Sequence, residues 1–145
     1  MSPHPMVNLL VVEDNDVDRE ALRRAFKRHG LTQPMVDVDD GVEALAVLRG
    51  ERGPRIGRPY LILLDLNMPR MNGLELLREI RRDPALRDSV VFVLTTSRAD
   101  EDKVAAYEQH VAGYLVKGEL GVGFTGLMDL ITAYCKVVEL PVWGG

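Results

Sequence analysis

The sequence predicts a doubly wound α/β domain, a five-stranded parallel sheet with five helices on its two faces. Three observations predict it. Short apolar runs recur along the chain, at residues 7–12, 35–38, 60–64, 90–94 and 113–116. The first, third and fourth are apolar at successive positions, as in strands buried on both faces of a parallel sheet. Between the runs lie stretches whose apolar residues recur at helical spacing, and alternation of strand and helix implies crossovers between parallel strands. Finally, four runs stop abruptly at a chemically functional residue: Glu13 and Asp14, Asp65, Thr95 and Lys117. Right-handed crossovers leave few topologies. The flavodoxin-like order 2-1-3-4-5 fits best, with a switch point between the first and third strands.

The 145 residues suit one domain with a substantial core. With 46% hydrophobic and 28% charged residues the composition is that of an ordinary soluble protein, and the net charge of −4 argues against a nucleic-acid binder. The single cysteine, Cys135, cannot form an internal disulfide and fits a reducing cytoplasm. The early apolar run at 9–12 is far too short for a signal-peptide core or a membrane span.

Residues 1–6, with Pro3 and Pro5, read as a loose leader. The first strand, 7–12, ends in Glu13-Asp14-Asn15-Asp16, with Asp16 as the expected N-cap of the following helix. There Val17, Ala21, Leu22, Ala25 and Phe26 share a face, and Gly30 stands where a C-terminal cap belongs. Residues 35–38 form the second strand, Asp39-Asp40-Gly41 a turn, and Val42, Ala44, Leu45, Val47 and Leu48 the next helix. The stretch 50–59, with three glycines, two prolines and three arginines, is a surface loop. The third strand, 60–64, runs into Asp65, which belongs just past the strand because an unpaired charge inside a sheet is costly. Pro69 and Asn72-Gly73 punctuate the next loop, Leu74, Leu77 and Ile80 form the third helix's stripe, and Asp83-Pro84 ends it. The fourth strand, 90–94, closes on Thr95-Thr96-Ser97. A helix over about 99–110 opens with Asp100, Glu101 and Asp102, which suits the helix dipole. The last strand, 113–116, ends on Lys117, and a final helix over about 124–138 turns Leu127, Leu130, Ile131 and Tyr134 inward. This gives a domain over 1–138 and a tail, 139–145, whose apolar residues, Trp143 among them, suit either a dimer or partner contact or packing back on the domain itself. No output domain is expected after residue 138, so the signal would leave by protein–protein contact, or the chain would serve as a phosphate sink or relay intermediate.

In the proposed order the first and third strands are neighbours, about 4.8 Å apart. Asp14 and Asp65 are then crowded together with Glu13 beside them, and such a cluster repels unless protonated or neutralised by a cation. Magnesium, which takes one or two carboxylates plus phosphate oxygens, fits best. Asp14 and Asp65 would be its ligands, with the Asn67 backbone carbonyl in reach and Glu13 acting through water. Lys117 adds a positive charge and Thr95 a hydroxyl donor, which suits a bound phosphoryl group. Asp65 can both touch the metal and attack, so it is the candidate nucleophile. Taken singly, each residue is an ordinary strand-end polar group; their convergence points to a site.

The motifs Val11-Val12-Glu13-Asp14, Leu64-Asp65-Leu66-Asn67-Met68-Pro69 with Gly73, Leu94-Thr95 and Gly113-Tyr114-Leu115-Val116-Lys117 resemble the receiver domain of two-component response regulators. The resemblance spans about 7–138 and implies the chemotaxis-regulator-like fold. It implies that Asp65 accepts a phosphoryl group from a phosphohistidine on a sensor histidine kinase, with magnesium at Glu13, Asp14, Asp65 and Asn67. Thr95 and Lys117 would bind the phosphoryl group, and Tyr114 would follow Thr95 as an aromatic switch. The family commonly has proline after the lysine; here it is Gly118. Together with Thr95-Thr96-Ser97 and the 50–59 loop, this looks similar to single-domain regulators serving phytochrome-type histidine kinases, which implies a bacteriophytochrome partner and a homodimer through the last strand and final helix.

Two rivals follow from the same residues. An aspartyl-phosphate phosphohydrolase would want a second acid two residues after its nucleophile, where Asn67 stands, and a lid that the short loops do not supply. A phosphorylation-independent interaction domain would have no physical need to keep crowded carboxylates.

Overall fold

The apolar runs form strands because neither face of the sheet meets water, and successive side chains feed two separate cores. The computed structural model describes residues 7–140. In it β1 (Asn8–Val12), β2 (Met35–Val38), β3 (Tyr60–Leu64), β4 (Val90–Thr95) and β5 (Gly113–Val116) alternate with α1 (Asp16–Arg28), α2 (Gly41–Arg49), α3 (Gly73–Arg82), α4 (Asp100–Glu108) and α5 (Thr125–Val137). The sheet order is β2-β1-β3-β4-β5 with every pairing parallel, as the sequence predicts. On one face Leu10, Val12, Tyr60, Ile62, Leu64, Val91 and Val93 pack with side chains of α2, α3 and α4. On the other, Leu9, Val11, Leu61, Leu63, Phe92 and Leu94 pack with Leu22, Ala25 and Phe26 of α1 and Leu127, Met128 and Ile131 of α5. Each fully buried Leu or Ile contributes roughly 1.5–3 kcal/mol relative to exposure, so this two-sided burial carries the fold. The one aromatic in the central strand, Tyr60, keeps its hydroxyl satisfied on Ser89, at 2.7 Å.

The helix ends follow capping chemistry. Asn72 and Glu75 form a reciprocal capping box at the start of α3. Asp40 caps α2, and Gly50 ends it at φ 68°. Gly73 is required by a close approach: a Cβ there would stand 2.5 Å from the carbonyl oxygen of Asp65 and 2.6 Å from Cα of Leu66. The chain can therefore double back over the Asp65 turn only without a side chain at that point. Arg81 ties the far ends of α3 and α4 together by donating to the carbonyls of Gln109 at 2.6 Å, Arg87 at 2.7 Å, Ser89 at 2.8 Å and His110 at 3.0 Å.

Several expectations are corrected. The N-cap of α1 is Asn15, whose side chain accepts from the Asp18 amide at 2.9 Å, and Asp16 is the first helical residue. Val17 belongs to the periodic face by spacing but is 78% exposed, because the first turn of α1 projects past the end of the sheet. In α3 the core side chains are Leu76, Leu77 and Ile80, with Leu74 only half-buried. α4 ends at Glu108, and His110 adopts φ 59° beyond it. Two 3-10 turns, Lys117–Glu119 and Val122–Phe124, occupy the connection that leads into α5. The expected leader at 1–6 and Trp143 in the expected tail lie outside the described residues. Among the described residues no helix is long and apolar enough to cross a membrane.

Candidate functional site

Because all strands run the same way, their carboxyl ends share one edge. The ladder continues a step beyond the strands: the Asp65 amide donates to the Val12 carbonyl and the Glu13 amide to the Val38 carbonyl, each at 3.0 Å. Glu13 and Asp65 are thereby fixed side by side. One oxygen from each of Glu13, Asp14 and Asp65 lies within 4.8 Å of the others. Glu13 and Asp65 are buried, at 2% and 7% exposure, while Asp14 faces solvent. Asp65 stands just past β3, as predicted, and is buried there because its loop and Lys117 serve it. The Asn67 amide donates to its Oδ1 at 3.2 Å, and the Lys117 ammonium lies 3.6 Å from its Oδ2.

Lys117 follows the last residue of β5, and Val116 pairs with Thr95, so the ammonium enters the pocket beside the end of β4. It donates to Glu13 Oε1 at 2.6 Å and to Asp18 Oδ2 at 2.7 Å. The other Glu13 oxygen accepts from the Asn15 amide at 3.2 Å. Burial pushes the Glu13 carboxyl up to about 7; the hydrogen bond from Lys117 only partly offsets this, and the neighbouring Asp65 charge adds to it. Burial works against the Lys117 charge, but hydrogen bonds to Asp18 and Glu13 and the Asp65 charge push that ammonium up to about 12. One ammonium therefore serves more carboxylates than it can neutralise. The spare donors are hard anionic oxygens at cation-binding separations, a set suited to a divalent ion of the magnesium or manganese kind.

Thr95 is fully buried at the end of β4, and its Oγ1 accepts from the Ser97 amide at 3.4 Å. Tyr114 is half-buried, packs against the α2–α4 core and donates its hydroxyl to the Ser97 carbonyl at 3.0 Å. The Ser97 hydroxyl donates to Asp102 on α4 at 2.5 Å. The structure thus brings Glu13, Asp14, Asp65, Asn67, Thr95 and Lys117 to one edge, with Tyr114 joined to it through Ser97. Two participants escaped the sequence reading. Asp18 lies in the first turn of α1 and meets Lys117 only through the fold, and Ser97 stands in a hydroxyl-rich run that marks none of its members. The peptide after Lys117 is trans and begins the 3-10 turn, with Gly118 facing the Arg98 guanidinium at 3.1 Å from where a Cβ would lie. Arg98 in turn pairs with Glu119 at 2.7 Å, which closes the β4–α4 loop against that turn.

This geometry has relatives. The Rcp1 response regulator of Synechocystis sp. is 39% identical over 143 residues, covering 95% of this chain and 95% of its own. Among solved structures, the Mn(2+)-bound form of Rcp1 superposes with TM-score 0.80 at 35% identity, covering 94% of this chain and 99% of that one. The phosphorylated cyanobacterial phytochrome response regulator RcpA superposes with TM-score 0.75 at 31% identity, over 95% and 98% of the two chains. The family profile described as response regulator receiver domain matches residues 9–120, which takes in all of β2 to β5, all but the first residue of β1 and the whole acidic edge, and the chain accordingly belongs to the response regulator receiver family.

Proposed function

We propose that Asp65 is the phosphoacceptor of this receiver domain and that the group comes from a phosphohistidine on a sensor histidine kinase. The observation that carries the reading is the buried Asp65 carboxylate, with Glu13 and Asp14 within 4.8 Å and the Lys117 ammonium 3.6 Å from its Oδ2. An Asp65 oxygen attacks phosphorus, the P–N bond breaks, and the imidazole leaves with the bonding pair and takes up a proton. A divalent ion held by Asp14, Asp65 and the Asn67 carbonyl, with Glu13 through water, would supply charge neutralisation for the transferring oxygens. Magnesium is the ion we assign; the existence of a Mn(2+)-bound form of the similar Rcp1 supports a divalent metal. Lys117 and Thr95 hold phosphoryl oxygens, and Tyr114 changes its place on the β5 surface when Thr95 moves toward the phosphate.

The phytochrome regulator among the relatives supports a phytochrome-type kinase as the partner. The edge position of β5 and the exposed Val137 on α5, 77% accessible, support a homodimer through those two elements. The domain extends over 1–138 in this reading, with 139–145 as a contact tail, and works in the cytoplasm as a signalling module rather than an enzyme. Intact mass after incubation with magnesium and acetyl phosphate tests the acceptor. One added phosphoryl group is expected in the native protein and none in Asp65→Asn. No adduct in the native protein, together with no binding of beryllofluoride, would leave the phosphorylation-independent interaction domain as the better account.

A further inference from the structure

The Lys117 ammonium has three N–H donors. One goes to Glu13 at 2.6 Å and one to Asp18 at 2.7 Å, and Asp65 lies beyond hydrogen-bond distance at 3.6 Å. The ammonium is thus held toward α1, away from the oxygen it would serve. Asp18 holds it from a fixed position: its own amide donates to the Asn15 cap at 2.9 Å, which anchors the first turn of α1 against the acidic loop. The two holding carboxylates differ in accessibility. Glu13 is 2% exposed, whereas the Asp18 side chain is 29% exposed and can be rehydrated when its partner leaves.

We propose that Asp18 is a positioning residue that parks Lys117 in the unphosphorylated domain, and that release of this contact accompanies phosphoryl binding at Asp65. The proposal rests on the reading of Asp65 as acceptor. A phosphoryl or beryllofluoride group on Asp65 competes with Asp18 for the same ammonium, so Asp18 sets how readily the activated state forms. Asp16 is the natural comparison. It shares the first turn of α1 and the same charge, but it is 86% exposed and pairs with Arg19.

The test measures beryllofluoride affinity by calorimetry in magnesium for the native protein and for Asp18→Asn, Asp16→Asn and Asp18→Glu. Loss of one charge-assisted hydrogen bond from the competing state is expected to tighten binding on the order of tenfold in Asp18→Asn. Asp16→Asn should stay within about twofold of native, and Asp18→Glu should return toward native. Equal tightening in both asparagine variants would mean a general charge effect and overturn the proposal, as would an unchanged Asp18→Asn. A second readout uses the native protein and needs no variant. A nuclear Overhauser contact between the Lys117 ε-methylene and the Asp18 β-protons is expected in the free protein and should vanish with beryllofluoride; its persistence would also overturn the proposal. Native protein that gains no phosphoryl mass at Asp65 sinks the acceptor reading instead, so the two failures are distinct.

Discussion

Replacing Glu13 by glutamine should stabilise the metal-free fold while weakening its hold on metal. The folded-state carboxyl lies near 7 against an ordinary 4.5, chiefly because Glu13 is buried at the end of β1. At 1.36 kcal/mol per pKa unit, the ionised carboxylate costs the metal-free fold about 3 kcal/mol relative to its protonated form. Glutamine keeps the shape and the hydrogen-bonding oxygen without the charge. It also weakens the bond that Lys117 donates at 2.6 Å, so the net gain at pH 8 should be nearer 1–2 kcal/mol.

The pH dependence separates this from a packing effect. Between about 4.5 and about 7 the folded state binds the Glu13 proton more tightly than the unfolded chain does, so stability falls as pH rises through that window and then levels. Lys117 acts elsewhere: its raised value, about 12, adds stability that is complete below 10.5 and is lost only as pH climbs through 12. Urea unfolding in a chelator at pH 5, 6, 7 and 8 should show the native protein losing stability across the series and Glu13→Gln losing much less. Saturating magnesium should raise the native midpoint more than the variant's. Equal slopes in the two proteins, or a variant less stable than native at pH 8, would refute the argument that burial of this charge is the dominant cost.

Two further substitutions follow from the geometry. Gly73→Ala drives a methyl into backbone at 2.5 and 2.6 Å, so the Asp65 turn must shift; a loss of about 1–3 kcal/mol in chemical denaturation and slower phosphoryl uptake from acetyl phosphate are expected, whereas unchanged values for both would contradict the close approach. Asp40→Ala removes the α2 cap, where Oδ1 accepts the Glu43 amide at 3.0 Å, and the Arg70 partner, whose Nε lies 2.8 Å from Oδ2, for about 1–2 kcal/mol. Burial opposes the Asp40 charge, yet the Glu43 amide and Arg70 hold its carboxyl below the usual range; this contribution is present above about pH 4 and disappears as pH falls through the lowered value, so native and variant should converge in acid.

The sequence carried most of the sheet because its signal is local and strong. Five apolar runs, four of which end on functional groups, admit few parallel arrangements, and 2-1-3-4-5 brings Glu13, Asp14, Asp65, Thr95 and Lys117 to one edge. What escaped depends on three-dimensional reach. Asn15 and Asp16 are both good caps, and only the backbone turn after β1 selects Asn15. Val17 has the right helical phase but lies past the sheet that would have covered it. Leu76 is buried and Leu74 half-buried, so the inward face of α3 includes a position that the predicted stripe of Leu74, Leu77 and Ile80 left out. Asp18 meets Lys117 across 99 residues of sequence, a contact that no spacing rule encodes.

The acidic edge holds a conflict that the fold by itself does not resolve. One ammonium lies between Glu13, Asp18 and Asp65, and Asp14 adds a further negative charge at the solvent side. A domain of this size has a total stability of roughly 5–15 kcal/mol, so the cost of about 3 kcal/mol at Glu13 is a large share of it. In the proposed phosphoacceptor reading, a cation or phosphoryl group that redistributes this charge would gain differential free energy between two states. The path outward is short. Thr95, the Ser97 peptide, the Tyr114 hydroxyl and the Asp102 carboxylate form one hydrogen-bonded run from the pocket to edge strand β5 and helix α4. A rearrangement that draws the Thr95 hydroxyl toward Asp65 must break or remake its bond to the Ser97 amide, and Ser97 holds both Tyr114 and Asp102. Ser97 therefore joins Thr95 in the pocket to both Tyr114 and Asp102 on the β5–α4 surface.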